Sequence, residues 1–240
     1  MLVPITREKF EQLVPAIATG AQYAAVWGSI QDIVRRVLIS VIGMVALLLL
    51  NVLFQGGAGG LKFFLGIIAG LYWLWAPVYW ASLRNSKYRR WKYSGFWRGR
   101  ILDVFISEDL IREEETFNQR GELVIVENRE RRINLDIGDR SGFRTLVQAP
   151  LRRSHKLLKP GQKVECLVFS NQADLSEIKE VSDLHIPSQN LWVGEYPCLR
   201  RDFFLSLSAD LRRQAPPPPD RRRPPMRDRA IRPRSRRDER

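Results

Sequence analysis

A chain of 240 residues with a formal charge of +13 carries 39 Lys and Arg against 26 Asp and Glu, and only two cysteines and two histidines. That length holds a short membrane element and one domain of about 100 residues, which excludes a large transporter. Cys166 and Cys198 make no disulfide framework and read as packing residues, and His155 and His185 lack partners at metal-ligand spacing.

After Pro4 and a cap candidate at Thr6, Phe10, Leu13, Val14 and Ile17 recur at helical spacing opposite Arg7, Glu8 and Gln12. Pro15 interrupts this helix, and Gly20 opens a second run through Tyr23, Val26, Ile30, Ile33 and Val37. Residues 1–36 are therefore expected as amphipathic helices, lying on the bilayer surface or packing on a soluble domain, with the surface favoured by Tyr23, Trp27, Arg35 and Arg36. The first long apolar run starts after residue 36, so no cleavable signal peptide is expected ahead of it.

Val37–Phe54 holds no charge, and thirteen of its residues are Val, Leu, Ile or Phe. Each favours a helix centre in lipid, which outweighs Ser40 and Asn51. Leu61–Leu83 carries one charge, Lys62, at the end where it can snorkel. The connector Gln55–Gly60, with Gly56, Gly57, Gly59 and Gly60, permits a tight reversal. These two runs predict an antiparallel transmembrane hairpin, against the alternative of two buried helices in a soluble protein. Arg35 and Arg36 before it, and Arg84, Lys87, Arg89, Arg90, Lys92, Arg98 and Arg100 after it, place both termini on the cytoplasmic side by the positive-inside rule.

Gly66 and Gly70 form a small-xxx-small pair for close helix packing, against the chain's own Ser40, Gly43 and Ala46 or against another protein. Pro77 predicts a kink near Trp73–Trp75. Tyr72, Trp73, Trp75, Tyr79 and Trp80 suit an interfacial belt. Neither apolar segment carries a His, Asp, Glu or Arg that would ligate a cofactor, so none is expected. Residues 84–97 then read as a juxtamembrane segment, in which Arg84, Lys87, Tyr88, Arg89, Arg90, Trp91, Lys92 and Tyr93 interleave cations with rings at headgroup level. The same interleaving would grip single-stranded nucleic acid, the second choice.

From about residue 98 to 212, strand-like runs appear at Ile101–Ser107, Leu110–Phe117, Glu122–Asn128, Arg132–Ile137, Phe143–Gln148, Val164–Ser170 and Leu191–Gly194. They predict a small antiparallel barrel resembling an OB or SH3-like fold, closed by a helix with Phe203, Phe204, Leu207 and Leu211 on one face. Glu113, Glu114 and Glu115 read as a solvated strand edge rather than an acid/base set, and no nucleophile elbow, phosphate loop or dinucleotide fingerprint occurs. Trp192 and Tyr196 are candidate partner contacts, with structural burial the competing role. Residues 213–240 form a Pro- and Arg-rich tail expected to be disordered; from Gln214 on, ten arginines stand against four acids.

The segment FEQLVPAIATGAQYAAVWG at 10–28, the hairpin, and WVGEYPCL at 192–199 together resemble an uncharacterised cyanobacterial family of small two-helix membrane proteins. Members of such families are sometimes labelled phosphate transporter permeases, but a permease needs more spans and a polar path for the anion. The resemblance implies a thylakoid or plasma membrane and an accessory or assembly role beside a photosynthetic complex. The expectation is an α+β membrane protein, not an enzyme, that presents a cytoplasmic β domain to a membrane protein complex and touches anionic lipid. A tether for RNA or ribosomes, and a small transporter subunit, are the alternatives.

Overall fold

The computed structural model describes residues 1–53, 59–117 and 123–214, with side chains described outside 111–128. Most of the glycine connector and the arginine tail thus lie outside the described residues. Met1–Phe204 form one compact unit, and the described residues from Leu205 on belong to a second. The chain is α+β, with six helices and one antiparallel sheet among the described residues.

Helix α1 spans Arg7–Leu13 and α2 spans Gly20–Trp27. Gln22 reaches back to accept the Thr19 N–H at 2.9 Å, which satisfies one open donor at the start of α2. The run expected to continue straight into the first long helix breaks at Gly28, whose φ of +76° favours glycine. A Cβ there would also meet Asp32 Oδ2 at 2.5 Å. That oxygen accepts from Ser29 N at 2.8 Å and Ser29 Oγ at 2.9 Å, holding the start of α3, Ile30–Leu53.

At 24 residues α3 is about 36 Å long, and it is the one described helix long and apolar enough alone to cross a membrane. Only 6% of its most apolar window is buried, unlike a core helix. Helix α4, Gly59–Gly70, runs back antiparallel beside it: Lys62 donates to Asn51 at 3.1 Å, a Cβ on Gly43 would meet Ala69 at 3.3 Å, and one on Gly70 would meet Met44 at 3.5 Å.

The second apolar run is not the single helix expected over Leu61–Leu83. It breaks at Leu71, and α5, Tyr72–Arg89, leaves at 73° to α4. The bend precedes the predicted Trp73–Trp75, and Pro77 lies buried within α5. Two side chains serve the backbone groups there: Ser40 Oγ accepts the Trp73 N–H at 3.2 Å, and the Trp75 indole donates to the Ile68 carbonyl at 2.9 Å. Each supplies a partner to a backbone group at the break.

The strands are β1 Leu2–Ile5, β2 Tyr93–Phe117, β3 Leu123–Gly138, β4 Arg144–Pro150, β5 Lys163–Ser170, β6 Glu180–Val181, β7 Leu184–Ile186 and β8 Leu191–Val193, followed by α6, Arg201–Gln214. Their order is β4-β3-β2-β5-β7-β8, with β1 on β2 and β6 on β5, all antiparallel. The ladder ends at β4 and β8 without pairing them, so the expected barrel is an open sheet among the described residues. It coils enough that Leu135 and Val147 from one end share a core with Leu184 and Val193 from the other, around Trp97.

Several expected boundaries move. Ile101–Ser107 and Leu110–Phe117 are one strand, bent by register shifts at Ile101/Asp103 and Leu110/Arg112. Residues 84–97 are no separate segment: α5 runs to Arg89 and β2 starts at Tyr93. Residues 1–36 are not all helical, since Leu2–Ile5 pairs with Ser94–Trp97. The N-terminal helices pack on protein: Phe10 of α1 lies 5.9 Å from Phe169, and Gln22 of α2 is fully buried. Strand β5 is therefore covered on both faces, with Cys166 turned to the coiled core and Phe169 to α1 and Tyr88.

Gly99 lies where β2 turns beneath Trp97. A Cβ there would sit 2.1 Å from the Trp97 ring and 2.6 Å from the Gly138 carbonyl. Gly99→Ala is expected to cost about 1–3 kcal/mol by overpacking, read as a lower denaturation midpoint of the purified chain. Gly20→Ala, where a Cβ meets nothing within 4 Å, serves as the control.

Candidate functional site

Helix α5 reaches the sheet carrying a polar residue on its buried side. Asn85 is fully buried, and its Nδ2 donates to Gln22 Oε1 at 2.9 Å. Gln22 Nε2 donates onward to the Cys198 carbonyl at 3.1 Å, in the segment after β8. From that segment the Tyr196 hydroxyl comes within 3.1 Å of Asn85 Oδ1 and 3.2 Å of the Ala81 carbonyl. Arg84 stacks over the Tyr196 ring at 5.3 Å. Burial pushes the Tyr196 hydroxyl up, so it stays a donor. The joint ties together α2, α5 and the segment after β8.

Beside the joint, Cys198 Sγ donates to Asp183 Oδ1 at 3.2 Å. Burial pushes Asp183 up to about 6, and burial together with the nearby Asp183 pushes the Cys198 thiol well above its ordinary value. Both cysteines are free and buried, and burial raises Cys166 too, so neither offers a thiolate.

A charged row crosses the same sheet. Arg98 on β2 faces Glu165 on β5, which faces His185 on β7, which faces Trp192 on β8. Arg98 Nε donates to Glu165 Oε1 at 2.9 Å, and Glu165 Oε2 lies 3.7 Å from His185 Nδ1. The His185 ring is wedged between Trp192, at 4.8 Å, and Phe204, at 6.1 Å. With 2% of its surface exposed, His185 is closed to a substrate, so the row is a buried ionic brace. His155 caps its own turn, with Nδ1 accepting the Arg152 N–H at 3.2 Å. Among the described residues no three His, Cys, Asp or Glu side chains gather for a metal.

The joint brings together 10–28 and 192–199, the two segments that carry the family resemblance. Beyond Gln22 and Cys198, Arg200 N also donates to the Leu13 carbonyl at 2.9 Å. The chain belongs to a family of unknown function, DUF8619. The family model matches residues 3–214, from β1 to the end of α6. No curated protein matches the chain. No solved structure matches it either.

In this DUF8619 chain the anticipated site residues divide. Gly70 packs on Met44, whereas a Cβ on Gly66 meets nothing within 4 Å; both border a groove of about 720 Å³ between α3 and α4. Tyr88 packs 5.5 Å from Phe169, Arg89 donates to the Glu11 and Val14 carbonyls at 3.2 and 2.7 Å, and the Trp91 indole donates to Glu180 at 2.9 Å. These three brace the chain itself. Arg84, Lys87, Arg90, Lys92 and Tyr93 stay exposed. Tyr196, a candidate partner contact, is 7% exposed and belongs to the interior, while Trp192 is half-buried under Arg201 at 5.2 Å. Glu113, Glu114 and Glu115 fall among side chains that are not described.

Gln22, Asn85, Asp183 and Cys198 went unrecognised in the sequence. A lone carboxamide on a helix that otherwise buries apolar residues was the available signal, at Asn85.

Asn85→Leu strips Gln22 and Tyr196 of a partner and should cost about 1–3 kcal/mol, seen as lower thermal stability and earlier proteolysis between α5 and β2. Asp183 holds its proton more tightly folded, at about 6, than at the ordinary 3.8. Its contribution is therefore fully present below the lower value and lost as pH rises through the upper. The stability difference between wild type and Asp183→Asn should shift by on the order of 2–3 kcal/mol from pH 4 to pH 7.5, against wild type at the higher pH.

Proposed function

We propose that this chain is a non-enzymatic integral membrane accessory protein that presents its β domain, at the cytoplasmic face, to a membrane protein complex during assembly or stabilisation. The observation that carries the reading is α3, a 24-residue apolar helix whose surface is almost wholly uncovered, in a chain whose sheet is locked to the following helices. In this reading α3 crosses the bilayer, and α4 with the first part of α5 returns as a bent second span, supported by the contacts from Lys62–Asn51 to Trp73–Ser40. Both chain ends then lie in the cytoplasm, where Arg35, Arg84 and Lys87 satisfy the positive-inside preference. The cyanobacterial resemblance assigns the membrane to thylakoid or plasma membrane.

A nucleic-acid tether is disfavoured because Tyr88 and Trp91, which would stack bases, are occupied within the chain.

Vesicles bearing the full chain should retain it through alkaline carbonate, and reporters at the two ends should report the same face. Release by carbonate, or opposite faces, would remove the membrane reading. A tagged copy in mild detergent should co-purify with a membrane complex; recovery only as a free monomer would remove the accessory role.

A further inference from the structure

Where the start of α3 meets the end of α5, a cleft of about 630 Å³ opens between α2, α3 and α5. Four cations line it, Arg35, Arg36, Arg84 and Lys87, with one carboxylate, Asp32. That carboxylate is already engaged by the Ser29 amide and hydroxyl. Arg36 is pinned by the Val26 and Trp27 carbonyls at 2.8 and 2.9 Å, and Arg84 is held over Tyr196. The Arg35 and Lys87 side chains make no hydrogen bond and no ion pair within 4 Å among the described residues, although the Arg35 charge lies near enough to Asp32 to favour its carboxylate. Asp32 stays a carboxylate beside Arg36 and Arg35 and offsets one of the four charges, leaving a net positive cleft whose charges repel one another unless a further anion sits among them.

The remaining walls are apolar and aromatic. Ile39, Tyr72, Trp80 and Leu83 line the same cleft, and one turn along α3 from Ile39 lies Ile42, which is 59% exposed. A cluster of cations that opens onto uncovered apolar helix matches an amphiphile: an anionic head at the helix ends and a chain running along α3. A soluble anion would use the charges and leave the apolar wall bare. The volume falls in the range that holds small ligands.

We propose that this cleft binds the phosphoryl headgroup of an anionic membrane phospholipid, with Arg35 and Lys87 as direct phosphate partners, Arg36 and Arg84 as fixed positive walls, and an acyl chain along Ile39. The inference rests on the reading that α3 crosses the bilayer with this end at the headgroups. A lipid held there contacts α2, α3 and α5 at once, next to the Asn85 joint.

The test is native mass spectrometry of the delipidated full chain in detergent, titrated with phosphatidylglycerol, phosphatidylcholine of the same acyl chains, and glycerol 1-phosphate. One phosphatidylglycerol should bind about tenfold more tightly than phosphatidylcholine, and glycerol 1-phosphate should bind far more weakly than either lipid. Arg35→Gln with Lys87→Gln should lose the preference for phosphatidylglycerol, whereas Arg90→Gln with Lys92→Gln, on exposed residues outside the cleft, should keep it. The exposed single variant Lys87→Gln, expected to weaken the preference severalfold, serves if the double variant does not fold. Equal binding of the two lipids, or an unchanged preference in the cleft variants, would overturn the proposal. Glycerol 1-phosphate binding as tightly as the lipid would make the cleft a soluble-phosphate site and overturn it equally. Carbonate extraction of the same preparations separates the premises: a chain that stays in vesicles yet shows no lipid preference defeats the cleft alone, and a chain that is stripped defeats the membrane reading.

Discussion

Two carboxamides sealed from water, Gln22 and Asn85, hold the sheet and the helices in one orientation. The apolar contacts around them, such as Phe10 against Phe169, would tolerate small rotations at little cost. Hydrogen bonds from Asn85 to Gln22, from the Tyr196 hydroxyl to Asn85, and from Gln22 to Cys198 would not, because each broken bond strands a buried polar atom at about 1–3 kcal/mol. Helix α5 ends at Arg89 and β2 starts at Tyr93, too short an interval for a swivelling linker. The β domain is thereby a rigid continuation of the helical layer.

The bend at Leu71 obeys the same rule. An interrupted helix frees backbone groups, which then take other partners. Ser40 and the Trp75 indole serve two of them, and the turn directs α5 away from α4 towards the sheet. The direction of that turn brings Arg84 and Lys87 round to Arg35 and Arg36 and creates the cleft. Polar satisfaction at Leu71 and charge accumulation at the helix ends are two results of one geometry.

Helix α3 was legible because composition alone announces an apolar helix of that length. The bend was not, since Pro77 is the conspicuous breaker while the actual break rests on a serine of another helix. The strand-like runs after residue 100 fall in strands where they are described, but Arg132–Ile137 is only the latter part of β3, and its alternation signals a half-buried strand whereas Asn134 and Asp136 are buried as well. The start of β2 was hidden by its cations, of which Arg98 is drawn into an ion pair with Glu165. Strand β1 is four residues long and has no signal apart from its partner. The joint was invisible because its members lie 63, 111 and 176 residues apart, although two of its three segments stood out as stretches of family resemblance.

Strand β1 also sets an order of events in biosynthesis. Its partner residues, Ser94–Trp97, leave the ribosome roughly 5–20 s after it at ordinary elongation rates. All of α3, α4 and α5 is translated in that interval, so the first strand must wait without its partner. The sheet thus begins to form only once all five preceding helices have been translated, and its first strand can pair no sooner than the start of β2.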